Sequence, residues 1–199
     1  MTELEKARVR IELTKPFPDD AILFRLDRKM PNGSYLAVPY LDVRYIVYRL
    51  NSMIPGLWNL KTEIQPLQIS FGNQHILAGH TAIVTLTIMG ISMTGTGSSY
   101  LTYDDEVDKL RKQDVKLDPK SAETDAIRRA AANHGIGLYL WFVKDMLFVQ
   151  DQKELRLRNS DNVKRALESI RAQGRKMYED TKAYFEKEGK LLFMEVNND

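Results

Sequence analysis

Three consecutive segments in the middle of the chain, residues 57–71, 75–89 and 91–101, are rich in β-branched and aromatic side chains. That composition, with a GNQ turn after the first and a Met89-Gly90 turn after the second, predicts three antiparallel strands. In the second strand Ala82, Val84, Leu86 and Ile88 alternate with Ile83, Thr85, Thr87 and Met89, so both faces are fairly apolar and both are expected to be covered in part. Helical spacing governs the flanks. Residues 3–14 read as a short helix closed by the prolines of KPFPDD, residues 21–26 as a short strand, and 27–35 as a loop. From 41 to 54, Val43, Ile46, Val47, Leu50, Met53 and Ile54 fall within about a third of a helical wheel, and Pro55-Gly56 ends the run. Arg44, Tyr48 and Asn51 lie on the opposite side.

After a charge-dense linker or short helix at 104–118, an alanine-rich helix is expected over 121–133, broken by Gly135 and Gly137. A strand or extended piece follows at 146–150, then a polar stretch. Ser160 or Asp161 can cap a last helix, 161–188, carrying Val163, Leu167, Ile170, Met177 and Phe185 at helical spacing. The resulting plan is α-β-α-β-β-β-α-α, an α+β fold on one small antiparallel sheet, with residues 1–199 as a single domain. There is no internal repeat and no low-complexity tract.

Composition narrows the chemistry. The absence of cysteine excludes disulfides, thiolate nucleophiles and cysteine-based zinc sites. The N-terminus lacks the apolar run of a signal peptide and no stretch reaches the length of a membrane span, so a cytoplasmic, nucleoid-associated protein is expected. With 29 Lys+Arg against 27 Asp+Glu the net charge is only +2, so any nucleic-acid surface must concentrate positive charge locally or multiply it by assembly. Asp104, Asp105, Glu106 and Asp108 lie in a run flanked by lysines, like a solvated face, and His75 and His80 would face opposite sides of a regular strand. No metal, no cofactor and no catalysis are expected, and there is no Walker A sequence.

The alanine-rich helix carries the sharper signal. On the wheel Ala122, Ala126, Ile127, Ala130, Ala131 and His134 form the packing half, leaving Thr124, Asp125, Arg128, Arg129 and Ala132 on the other. Arg128 and Arg129 project about 100° apart with Ala132 between their directions, and Asp125 is one turn back from both. A guanidinium held this way suits phosphate, and equally an internal ion pair. On the 41–54 helix, Arg44 and Tyr48 form an i,i+4 pair with Tyr45 beside them, an arrangement that can hold a phosphate and stack a base or merely rim a core. Gly95 and Gly97, among Thr94, Thr96, Ser98 and Ser99, would admit close packing of a neighbour or of DNA, or else mark a thin solvent edge.

Three blocks, YLDVRYIVYRLNSMIPGLW (40–58), LTIMGISMTGTG (86–97) and DPKSAETDAIRRAAANHGIGLYLW (118–141), together resemble the Rad52/Rad22 family of single-strand annealing proteins, especially its compact bacterial and phage members of the DNA damage response protein A group. The resemblance spans about residues 35–142, which it implies are the DNA-binding core, with the final helix at 160–188 beyond it. It implies a β-β-β-α core assembled into a homo-oligomeric ring of about ten subunits, with single-stranded DNA in an outer basic groove and its bases exposed. Arg44 then falls on the basic position of the family's D-x-R, Arg128 and Arg129 on its basic pair, Asp125 on the preceding acid and Lys120 on the preceding lysine. Arginine stands at 128 where lysine is usual, and Ala132 replaces a further basic residue of the eukaryotic relatives. The DNA-binding set is Arg44, Tyr48, Lys120, Arg128 and Arg129, for a non-enzymatic, ATP-independent annealing protein of DNA repair and recombination. A single-strand coating or end-protecting protein and a protein-interaction ring are the other readings.

Overall fold

The structure, a computed structural model, describes residues 1–71, 74–100, 119–143, 147–149 and 160–196. The charge-dense segment 104–118, the polar stretch 151–159 and most of the GNQ turn lie outside the described residues. The described residues form four α-helices and two three-stranded antiparallel sheets, and no described helix is long and apolar enough to cross a membrane. The chain divides into two compact units, one of residues 1–54 with 134–199 and the other of residues 55–133.

The second unit holds the predicted strands with little change: β3 (Trp58–Phe71), β4 (Gln74–Ile88) and β5 (Ile91–Tyr100), with β4 in the centre. Met89 and Gly90 both take positive φ, 49° and 83°, which the twist of a two-residue hairpin demands. A bulge at Ala78, which has no partner while Gly79 pairs Leu67 and Leu77 pairs Gln68, interrupts the alternation of β4. The expectation that His75 and His80 face opposite sides assumed a regular strand, and that premise fails here. Helix α3 (Pro119–Asn133) starts two residues earlier than expected because proline suits the first helical position, where no N–H is required.

Ala82, Val84, Leu86 and Ile88 are fully buried on one face of β4. Gly97 pairs Ala82 and Gly95 pairs Val84, so both glycines share that face. A Cβ on Gly95 would lie 2.2 Å from the carbonyl oxygen of Ala126 and 2.3 Å from the nitrogen of Ala130, and one on Gly97 would lie 2.2 Å from the oxygen of Ala122. The close partner of these glycines is therefore the protein's own helix, not a neighbour, DNA or solvent.

The first unit contains a sheet the sequence did not predict. Its order is β1 (Ile22–Lys29), β2 (Tyr35–Leu41) and β6 (Leu147–Val149), so the fold rests on two sheets rather than one. Its core joins Ile22, Ala37, Tyr139, Leu147 and Val149 to Val163, Ala166, Leu167 and Ile170 of helix α4 (Asp161–Val196), with Met177 packed against it. The first half of the α4 stripe thus packs within its own unit. Ser160 accepts from the Val163 N–H at 3.3 Å as the expected cap, while the helix runs on to Val196 rather than stopping at 188.

Helix α1 (Glu3–Leu13) opens with a capping box between Thr2 and Glu5. Residues 12–19 then run antiparallel to α4: Arg171 binds Asp19, Gly174 admits the Pro16 ring, and the Tyr178 hydroxyl donates to Glu12 at 2.9 Å. Arg49, on helix α2 (Val43–Met53), fixes the same segment from the other side. Its guanidinium donates to the carbonyls of Leu13 (3.1 Å), Lys15 and Pro16 (3.3 Å) and lies 3.3 Å over the Phe17 ring, and the Phe17 backbone N–H donates to the buried Tyr139 hydroxyl. Burial lowers the Arg49 guanidinium to about 10, which leaves it charged at neutral pH.

Two stability changes follow. Gly95→Ala should destabilise by about 3 kcal/mol, because the new methyl meets helix backbone that cannot swing aside; a melting temperature equal to the parent's would contradict that seat. Arg49→Met keeps the stem but strands three carbonyls, and thermal unfolding should show a loss of about 2 kcal/mol or more.

Candidate nucleic-acid interface

Ala122, Ala126, Ile127, Ala130 and Ala131 are buried, as the wheel requires, whereas His134 is half-buried and lies just past the end of the helix. Ala132 departs from expectation: it is 5% exposed, so it is not an open floor between two arginines. Arg128, beside it, is half-buried, while Arg129 is exposed.

Arg129 is held in place. Its Nε donates to Asp125 Oδ2 at 3.0 Å across one helical turn, with the arginine side chain 44% exposed and the aspartate 22%. The Cβ atoms of Arg129 and Asp125 lie 2.9 and 3.0 Å from where side chains on Gly95 and Gly97 would begin, so the ion pair sits directly above the outer strand β5. Two contacts invisible to periodicity secure the helix at this height. Asn133 Nδ2 donates to the Thr94 carbonyl at 2.9 Å, and the Thr62 hydroxyl donates to Glu123 at 3.0 Å. Lys120 is exposed in the first turn, two turns before the arginines, so α3 spreads its cations along its length.

In the other unit, Asp42 caps α2 by accepting from the Arg44 N–H at 2.9 Å. The same carboxylate receives the Arg44 guanidinium through Nε at 3.1 Å and Nη2 at 2.5 Å. These hydrogen bonds raise the Arg44 pKa further above neutrality, and its side chain remains 87% exposed. Tyr48, one turn on, is 73% exposed, and Asn51 continues the same exposed strip. Tyr45 does not join them: its hydroxyl donates to Asp20 at 2.9 Å, which ties the ring to its own unit.

Each unit therefore presents its own part of the expected set, Arg44 with Tyr48 in one and Lys120, Arg128 and Arg129 in the other. An oriented guanidinium that keeps donors directed outward can grip a phosphate, and an exposed ring beside one can stack an unpaired base. Among the described residues no three His, Asp or Glu side chains gather as a metal site requires. The carboxylates at 104–108 lie outside the described residues. Compared with known proteins, the chain matches no family model and no curated sequence.

Cap and cation are separable on α2. Asp42→Ala should lose about 1 kcal/mol through the missing cap, whereas Arg44→Ala should leave the melting temperature unchanged, since its side chain projects into solvent. A large drop for Arg44→Ala in thermal unfolding would make Arg44 a structural residue.

Proposed function

We propose that this chain binds single-stranded DNA without ATP and anneals complementary strands in DNA repair and recombination, as a homo-oligomer. The observation that carries the reading is the Arg44–Tyr48 pair. A tyrosine 73% exposed beside an arginine 87% exposed, on a helix whose opposite face buries Ile46 and Leu50, contributes little to the core. It offers a flat ring and a phosphate-binding fork one turn apart. Arg129, oriented by Asp125, supplies a second fork with the same chemistry.

Annealing needs no bond-breaking chemistry. Cations hold the two backbones extended, and base pairing supplies the free energy. The resemblance of the three sequence blocks to the single-strand annealing family supports this reading over simple coating. A near-neutral protomer gains sufficient positive field only when several copies combine their surfaces, which accords with a ring. β3, an outer strand with Ile64 43% and Leu67 40% exposed, offers apolar surface for such assembly.

Fluorescence anisotropy with equal-length single and double strands at two salt concentrations tests the reading. Single strands should bind more tightly, with affinity falling steeply as salt rises. Arg44→Ala, Tyr48→Ala and Arg129→Ala should each weaken single-strand binding roughly tenfold, and each arginine change should flatten the salt slope by about one phosphate. Light scattering should report an unchanged oligomer of about ten subunits for the parent and all three variants. Equal affinity for blunt duplex and single strand, or unaltered binding with Arg44 and Arg129 both removed, sinks the assignment.

A further inference from the structure

The outer strand β1 carries its arginines in an order that a regular strand would scatter. Arg25 and Arg28 are both exposed, and three residues apart on a regular strand they would face opposite sides. A bulge at Asp27 prevents this: Arg25 pairs Val38, Leu26 pairs Ala37 and Arg28 pairs Leu36, leaving Asp27 without a partner strand residue. Val38 and Leu36 are alternate residues of β2, so both arginines emerge on one face of the sheet, about 7 Å apart along the strands. Ala37 belongs to the core shared with α4, so the arginines lie on the opposite face. There Leu36 also pairs Phe148 of β6, which makes one row across the sheet of Arg28, the buried Leu36 and a Phe148 that is 43% exposed. Lys29 falls on the other face, 6.0 Å from the centre of the Tyr35 ring. Unlike Arg44, Arg129 and Arg171, neither Arg25 nor Arg28 has an ion-pair partner among the described residues. Charge on an outer strand guards it against pairing with another chain, but it does so from either face. Guarding an edge therefore does not account for a bulge that aligns two arginines with an exposed ring.

We infer that this face of the first sheet is a further contact surface for single-stranded nucleic acid, with Arg25 and Arg28 on neighbouring phosphates and Phe148 stacked on a base. The backbone follows β1, and the bases reach inward over Leu36 toward the ring. Guanidinium forks suit phosphate oxygens, and every base offers a flat face, so the surface accepts any sequence. An acidic peptide would satisfy the arginines but leave the ring without a flat partner. The inference rests on the single-strand reading for the identity of its ligand. It adds residues that the resemblance does not cover, because Arg25, Arg28 and Phe148 all lie outside the three blocks that carry it.

The test uses the full chain and labelled oligothymidine, read by anisotropy against salt. The double variant Arg25→Gln with Arg28→Gln should bind roughly tenfold more weakly and flatten the salt slope by about two phosphates. Lys29→Gln removes a charge from the opposite face and should change affinity by no more than about twofold. Phe148→Leu keeps the apolar bulk and loses the flat ring; it should weaken binding roughly fivefold with the salt slope unchanged, because stacking releases no counterion. Phe148→Tyr should bind like the parent, and an abasic strand of the same length should not distinguish Phe148→Leu from it. Oligothymidine binding indifferent to the double variant and to Phe148→Leu overturns this surface and leaves the annealing reading standing. So does a loss in the double variant no larger than two Lys29→Gln changes would give, which marks diffuse charge. If polyglutamate displaces the strand as well as unlabelled oligothymidine does, and Phe148→Leu binds like the parent, the surface takes an acidic chain and the inference falls. Single-strand binding that needs Arg25, Arg28 and Phe148 but ignores Arg44 and Arg129 would keep this surface and remove the observation on which the annealing reading rests.

Discussion

The absence of two Cβ atoms on β5 fixes the second unit. With hydrogen at Gly95 and Gly97, the backbone of α3 descends onto the sheet until carbonyl oxygens and amide nitrogens of the helix occupy the space a methyl group would take. Such an approach also requires a helix without bulk on its lower side, which Ala122, Ala126 and Ala130 supply. The small residues of strand and helix are thus one device. It sets the height of the helix, and with it the placement of Asp125 and Arg129 above the outer strand and the reach of Asn133 to the Thr94 carbonyl.

The first unit solves a different problem, that of holding an irregular segment. Residues 14–18 fall between α1 and the turn at Asp19–Ala21 and include two prolines, so their carbonyls lack a regular ladder. Arg49 collects two of those carbonyls, of Lys15 and Pro16, together with that of Leu13 on one planar group and covers the Phe17 ring with its face, a combination a lysine ammonium cannot reproduce. On the other side, Arg171, Gly174 and Tyr178 repeat at helical spacing against Asp19, Pro16 and Glu12. The segment is clamped from two helices, and this lets α4 continue the core of a small three-stranded sheet.

How much of this was legible in the sequence depended on the range of the interaction. β3, β4 and β5 are consecutive, long and rich in β-branched residues, so local composition and turn chemistry suffice to find them. β2 is short and contains Pro39, which β2 tolerates because its pairing with β6 is confined to Tyr35, Leu36 and Ala37. Its pairing with Leu147–Val149 spans more than a hundred residues of chain, and no local pattern announces it. Likewise the wheel put Asp125 within one turn of both Arg128 and Arg129, of which the structure shows the Arg129 ion pair, and found the exposed Arg44–Tyr48 strip. It could not find Asn133–Thr94, Thr62–Glu123 or Tyr45–Asp20, which exist only once distant elements meet. The glycines of β5 were visible as an anomaly, but their partner was not.

That partner changes how the arginine helix is understood. A helix of alanines beside two arginines suggests small side chains cleared away so that a ligand can approach the backbone from outside. Instead the alanines face inward, Ala132 included, and the clearance serves the sheet. On the proposed reading a strand would meet α3 along its exposed flank, where Arg129 is braced by Asp125 over β5, and not across a flat upper surface. Bracing matters here more than the number of cations. A guanidinium already oriented by a carboxylate one turn away loses less freedom when it grips a phosphate than a solvated lysine does, and Arg44 is braced by Asp42 in the same way. With a net charge of +2 on the chain, the proposed strand-binding surface would be built from few cations and would depend on each being pre-placed, and Arg44 and Arg129 each have an aspartate that does so.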